Sequence, residues 1–184
     1  MNYNKEHITL KKKDFSGKET ASTIKELLLY PNLKSCNLFH FYINQDDIID
    51  INNLKKLQFI KFDLCYFNMD KLQLSDQITE LSFNLCENLT FQHISSINTR
   101  KVRITQWEKA NITYDLKDFQ HLENLESLEI HNCYIKGIEY LLEKAPKIKI
   151  LNLDGSKVEN RTYLEELKNK ITVSNNETYE LANI

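Results

Sequence analysis

Leu125 to Ile135 reads LESLEIHNCYI, and Leu57 to Phe67 reads LQFIKFDLCYF. Both stretches place apolar residues at offsets 0, 3 and 5 and a cysteine at offset 8. The letters between these positions differ. Positions kept at fixed offsets while their neighbours vary mark a repeated structural unit.

The same template recurs along the chain. From Ile78 it selects Leu81, Phe83 and Cys86, and from Ile148 it selects Leu151, Leu153 and Ser156. From Leu33 it gives Cys36, Leu38 and Phe41; from Thr99, more loosely, Val102, Ile104 and Trp107. The ends fit too, with Lys5 leading to Ile8 and Leu10, and Lys168 leading to Ile171, Val173 and Asn176. Successive starts lie 28, 24, 21, 21, 26, 23 and 20 residues apart. Strands are expected near 7–11, 35–39, 59–63, 80–84, 101–105, 127–131, 150–154 and 170–174.

The segments between carry helical spacing. ETASTIKELLLYPNL sets Ile24, Leu27 and Leu28 at i, i+3 and i+4, one helical face, and Pro31 ends it. GIEYLLEKAPKI repeats the design with Ile138, Leu141 and Leu142 before Pro146. TYLEELK opens with Thr162 and Glu165 at capping-box spacing. Shorter helices are expected in 46–57 and 115–122. The two 21-residue units leave room only for a turn or a 3₁₀ segment.

This chain resembles the leucine-rich repeat family over nearly its whole length, and its first unit is similar to the ribonuclease-inhibitor subclass. Only one unit carries the Asn usual at offset 8; three carry Cys. The resemblance implies an α/β fold, a right-handed solenoid with a parallel sheet on the concave face and helices and 3₁₀ turns on the convex one. Residues 1–184 are expected to be one domain of about eight units, with atypical capping units at 1–32 and 168–184.

Bulk properties fit a single globular domain. The 184 residues suffice for one core, and 27% charged with 41% hydrophobic residues is neither a disordered tail nor a membrane protein. A net charge of −2 gives no general attraction to nucleic acid. No apolar run approaches the roughly 20 residues of a membrane span. The N-terminus has no apolar h-region, so a cytoplasmic location is expected. Cys36, Cys65, Cys86 and Cys133 form no C-x-x-C, and the offset-8 cysteines are expected as buried free thiols.

Residues at offsets 3 and 5 should point inward, and those at 2, 4, 6 and 7 outward. Nothing among the outward residues makes a catalytic motif: there is no G-x-x-x-x-G-K-[ST], G-x-S-x-G or H-E-x-x-H. The five histidines form no ligand cluster, and Cys36 and His40 should face opposite ways. Four N-x-[ST] sequons, at Asn88, Asn111, Asn160 and Asn176, are expected by chance in a chain so rich in Asn and Thr. The run Lys11 to Lys13 and the pair Lys101 and Arg103 are separated by Asp63 and Glu80, which breaks a phosphate track.

Phe39, Phe59, Leu64 and Leu85 are apolar at outward positions and are expected to lie close together, with Tyr42 and Tyr66 at one edge. The expected partner-binding surface is Phe39, His40, Phe59, Lys61, Asp63, Leu64, Tyr66, Leu85 and Arg103. Leucine-rich repeat proteins use the concave sheet to bind proteins, so the resemblance implies a non-catalytic interaction module. No cofactor, metal, nucleic acid or membrane is expected, and a monomer is. Alternatives are an inhibitor or immunity-type protein, or a secreted bacterial effector, that blocks a partner enzyme. An enzyme or a nucleic-acid binder would need a buried titratable group on the concave face, or a continuous basic stripe.

Overall fold

The computed structural model describes residues 4–12, 22–89, 99–107, 112–119 and 122–176. In chain order its strands are β1 (His7–Lys11), β2 (Ser35–Phe39), β3 (Tyr42–Ile43), β4 (Phe59–Asp63), β5 (Tyr66–Phe67), β6 (Glu80–Asn84), β7 (Lys101–Thr105), β8 (Thr113–Asp115), β9 (Ser127–His131), β10 (Tyr134–Lys136), β11 (Ile150–Asn152), β12 (Lys157–Val158) and β13 (Thr172–Ser174). Eight of them form one sheet in the order β1-β2-β4-β6-β7-β9-β11-β13, every pair parallel. The protein is therefore α/β, with one large parallel sheet and few helices. Two short parallel ladders, β12-β10-β8 and β3-β5, follow the ends of the main strands.

The first six main strands fall where the offsets place them, residue for residue. The last two are shorter than expected, and β13 is also shifted by two residues: Val173, expected at offset 5 from Lys168, pairs with Leu151 at offset 3. Strand β11 stops at Asn152 because the Asn152 side-chain oxygen accepts the Asp154 N–H at 2.9 Å, which turns the backbone. Strand β13 starts only at Thr172, since the Lys170 and Ile171 N–H groups still bond back to the Leu167 carbonyl at 2.8 and 3.0 Å.

Each inward row is dry. Ile60, Phe62, Leu81, Phe83, Val102, Ile104, Leu128 and Ile130 are all buried. Register sets like beside like: Phe62 pairs with Phe83, and their rings stack at 5.4 Å while Phe67 meets both edge-on. The strands alternate buried and more exposed residues, so one face of the sheet is dry and the other is not covered by core.

The return segments depart from the sequence expectation in winding. Ile24–Leu29 and Ile138–Tyr140 are 3₁₀ helices, the second running into an α-helix, Leu141–Lys144. A 3₁₀ helix stacks i on i+3 and turns i+4 away. Accordingly Ile24 and Leu27 are buried while Leu28 is 36% exposed. Leu142, expected on the same face as Ile138 and Leu141, is only partly buried for the same reason. Both segments stop where a proline pushes the preceding residue off the helix: Tyr30 has ψ 79° and Ala145 ψ 73°. Among the described residues the remaining α-helices are Gln45–Asn52, capped by Asn44, and Arg161–Leu167; Leu116–Asp118 is a further 3₁₀ turn. The cap of Arg161–Leu167 is Asn160, whose Oδ1 accepts the Tyr163 N–H at 3.1 Å, and not the expected Thr162–Glu165 box. Asn160 wins because an Asn carbonyl reaches the orphan N–H groups of the first turn directly.

The offset-8 cysteines are free and buried, and so is Cys36. Their sulfurs are tethered. Cys65 Sγ–H donates to the Leu38 carbonyl at 3.2 Å, and Cys86 Sγ–H to the Phe62 carbonyl at 3.4 Å. In each case the acceptor is the offset-5 residue of the preceding unit. Ser156, at the same offset, donates to the Ile130 carbonyl at 2.9 Å. Burial pushes the Cys36 and Cys133 thiols up to about 12. Contact with Cys65, then burial, pushes Cys86 up as well. Among the described residues no helix is long and apolar enough to cross a membrane.

Two outcomes follow. Leu128→Ala, at a fully buried position, lowers stability by about 2–5 kcal/mol through the cavity it leaves, read from the denaturation midpoint; an unchanged midpoint places Leu128 outside the core. A disulfide-exchange reagent labels Cys36, Cys86 and Cys133 slowly in native buffer and at once in denaturant. Fast native labelling of these three contradicts their burial.

Candidate functional site

The face of the main sheet opposite the core is built by register alone. One row reads His7, Ser35, Phe59, Glu80, Lys101, Ser127, Ile150, Thr172, and the next Thr9, Asn37, Lys61, Ser82, Arg103, Glu129, Asn152, Ser174. A third row runs Lys11, Phe39, Asp63, Asn84, Thr105, His131. Glu80, Arg103, Ile150 and Thr172 are exposed, so the face is open to solvent at its middle and far end.

Ion pairs organise this face. Glu129 lies low in it, with Arg103 Nε at 2.6 Å on one carboxylate oxygen and Lys101 Nζ at 3.3 Å on the other. His131 Nε2 is 3.8 Å away, and its Nδ1 lies 3.2 Å from the Asp154 carbonyl. Burial alone would raise the Glu129 carboxyl; Arg103 and then Lys101 outweigh it and hold the group below the ordinary carboxylate range. Arg103 is raised in turn, chiefly by its bond to Glu129. Two strands away Lys61 pairs with Asp63 at 2.9 Å, and Asp63 also accepts from Asn84 at 2.6 Å. Between the two clusters lies a cleft of about 250 Å³ lined by Phe59, Lys61, Glu80, Leu81, Ser82, Lys101 and Arg103.

The turn leaving each strand has its own constraint. At offset 7, His40, Leu64, Leu85, Asn132 and Gly155 have positive φ, between 52° and 75°; Gln106, at the same offset, does not, and it is buried where an outward residue is expected. The positive-φ conformation continues the ladder: the His40, Leu64 and Leu85 N–H groups reach the Asp63, Asn84 and Thr105 carbonyls at 2.8–2.9 Å. At Gly155 a Cβ would also run into the Asn132 side chain. Leu64 and Leu85 therefore hold a backbone shape that non-glycine residues adopt at a cost.

The expected partner surface is only partly assembled. Phe39 pairs with Asp63 and Phe59 with Ser35, so the two rings stand four residues apart along the strands, roughly 13 Å. They do not form one patch. Phe39 meets His40 edge-on at 4.5 Å with Lys11 over its ring, on the side of Asp63, Leu64 and Leu85. Phe59 joins Lys61 and Arg103 in the cleft. All four apolar residues are partly buried rather than exposed, and over Phe39 lies the Lys11 side chain. The exposed apolar residues are others, Tyr42 at 70%, Ile49, Ile150 and Trp107 among them, so Trp107 does not take the inward place that offset 8 from Thr99 assigns it. Tyr66 meets Tyr42 at 5.5 Å with the rings tilted at 46°, beyond the turn. Cys36 and His40 are not a dyad, since Cys36 is core. Among the described residues no three His, Cys, Asp or Glu converge as metal ligands. Lys13, His93, Asn111 and His121 lie outside the described residues, as do residues 19–21 at the start of the first expected helix.

Glu129 is the residue that sequence reasoning missed. Its signal was present: it stands at offset 4, as Arg103 does in the preceding unit, so parallel register sets opposite charges side by side.

Comparison with protein-family models, with curated proteins and with solved structures finds no match to this chain.

The Glu129 cluster sets a pH signature. A carboxyl lowered in the folded state stabilises above its unfolded value, near 4.5, and that contribution is lost as pH falls through the lower folded value. Glu129→Gln should therefore be less stable than the native protein above about pH 4.5, with the difference closing on acidification. A gap independent of pH places the effect in packing instead.

Proposed function

We propose that this chain is a leucine-rich repeat protein, a right-handed solenoid whose open sheet face binds a partner protein without catalysis. The solenoid is favoured by the repeated offsets, by strands that add to one parallel sheet in sequence order, and by the strong right-handed preference of parallel crossovers.

The observation that carries the binding function is the inversion within the ion pairs of the sheet face. Side-chain exposure is 48% for Arg103, 38% for Lys101 and 32% for Lys61, against 12% for Glu129 and 15% for Asp63. Cations ride above their carboxylates. Core packing has no use for this order, and a solvent-facing cationic ridge beside the Phe59 ring offers a partner both charge and apolar contact. Proton transfer is less well served. Glu129, the buried carboxylate of this face, is held anionic by two cations, which suits anchoring more than acid–base exchange.

A photo-reactive residue at position 59 or 103, in the native host, tests this. Cross-links should form from these two positions and not from position 143, an exposed site on the helix Leu141–Lys144. Replacing Phe39 and Phe59 by Ser should shift melting little, because neither is core, and abolish most partner capture, a loss on the order of 2 kcal/mol or more for a hot-spot residue. Cross-links from position 143 alone move the interface off the sheet.

A further inference from the structure

The cleft between the two ion clusters exists because of one small residue. In the row Lys61, Ser82, Arg103, the serine is flanked on both sides by long cationic side chains. Neighbouring strands lie about 4.8 Å apart, so Lys61 and Arg103 rise from backbones about 10 Å apart with only a hydroxymethyl between them. In the row beside it Phe59 and Lys101 flank Glu80. The notch is thus floored by Ser82, walled by Lys61 and Arg103, and closed on one side by the Phe59 ring and Lys101.

The charges of this notch are layered. Asp63 and Glu129 sit deeper, and each fixes the cation above it. Arg103 is held by its Nε on Glu129, so its planar group enters an encounter already oriented, and less side-chain entropy is lost on forming a further bond. Guanidinium donors match a carboxylate in geometry as well as charge. The exposed Glu80 on the lip limits what can enter. A strand of phosphates would bring several negative charges past it; a lone carboxylate among neutral or apolar neighbours need not.

The geometry points to the notch over Ser82 as the seat of an acidic side chain of the partner protein, gripped by Arg103, Lys61 and Lys101 with an adjoining apolar residue against Phe59. This specifies the partner chemistry of the sheet face and rests on the binding function proposed above.

A library of random linear peptides, selected on the immobilised whole chain, tests both and separates them. Selected peptides should be enriched in Asp or Glu beside an aromatic or aliphatic residue. Arg103→Gln should weaken them about tenfold or more, as expected for a lost charged hydrogen bond. Lys61→Gln, which leaves the Glu129 cluster intact, should weaken them too, and Glu80→Gln should strengthen them. Melting curves of each variant keep a folding defect apart from a binding one. Peptides that lose binding on Phe59→Ser yet carry no acidic enrichment and ignore Arg103→Gln and Lys61→Gln overturn the acidic seat and leave sheet-face binding standing. Peptides indifferent to all four substitutions, or no selectable peptide at all, overturn both.

Discussion

No strand of the main sheet is dried by its own unit. Phe62 and Leu128 are fully buried because the strands on either side bring inward residues of the same register against them. A five-residue strand with a short return segment has too little apolar area to offset the entropy of ordering it. Burial comes only from stacking, at a rise of about 4.8 Å per strand. The rest of the structure answers to that constraint. Strands are parallel, in sequence order, and from β1 to β11 aligned so that offset 3 meets offset 3.

Stacking at that spacing also dictates the turn. After each strand the chain must leave the sheet without abandoning its carbonyl partners. At His40, Leu64, Leu85 and Gly155 a left-handed residue at offset 7 keeps one more ladder bond, and at Cys65, Cys86 and Ser156 the inward side chain at offset 8 ties back to the preceding strand. Cysteine suits that place because it is small, apolar enough to be buried, and still a weak donor. Serine does the same at Ser156, where its hydroxyl also accepts the Cys133 N–H at 3.1 Å. At offset 7 the identity of the residue matters less than its φ, which is why His40, Leu64, Leu85, Asn132 and Gly155 share one backbone shape.

Because packing and turning are settled by the inward and offset-7 positions, the outer rows are left to chemistry. There the registered strands act as a ruled surface: residues at equal offsets in adjacent units become neighbours, whatever their sequence distance. Arg103 and Glu129 are 26 positions apart and share a 2.6 Å bond. Ser82, unremarked between two basic residues of other units, becomes the floor of a cleft.

The sequence by itself determined the repeat, the first six main strands and most of the inward residues, because an alternation of apolar side chains kept at constant offsets has one way to bury itself against copies of the same pattern; it misplaced the unit from Thr99, where Gln106 is buried and Trp107 exposed, and the register of the last strand. It also placed Cys65, Cys86 and Cys133 inside. Three things were decided only by the tertiary structure. The segment Ile24–Leu29 winds as 3₁₀ rather than α, which the spacing of Ile24, Leu27 and Leu28 does not distinguish. The Phe39 and Phe59 rings part company, since sharing a face is not sharing a register: one sits at offset 6 and the other at offset 2. Which charges lie deep and which ride above them, as with Glu129 beneath Arg103, depends on side-chain length and on what stands on the two adjacent strands, a relation between chain segments that no single stretch of sequence contains.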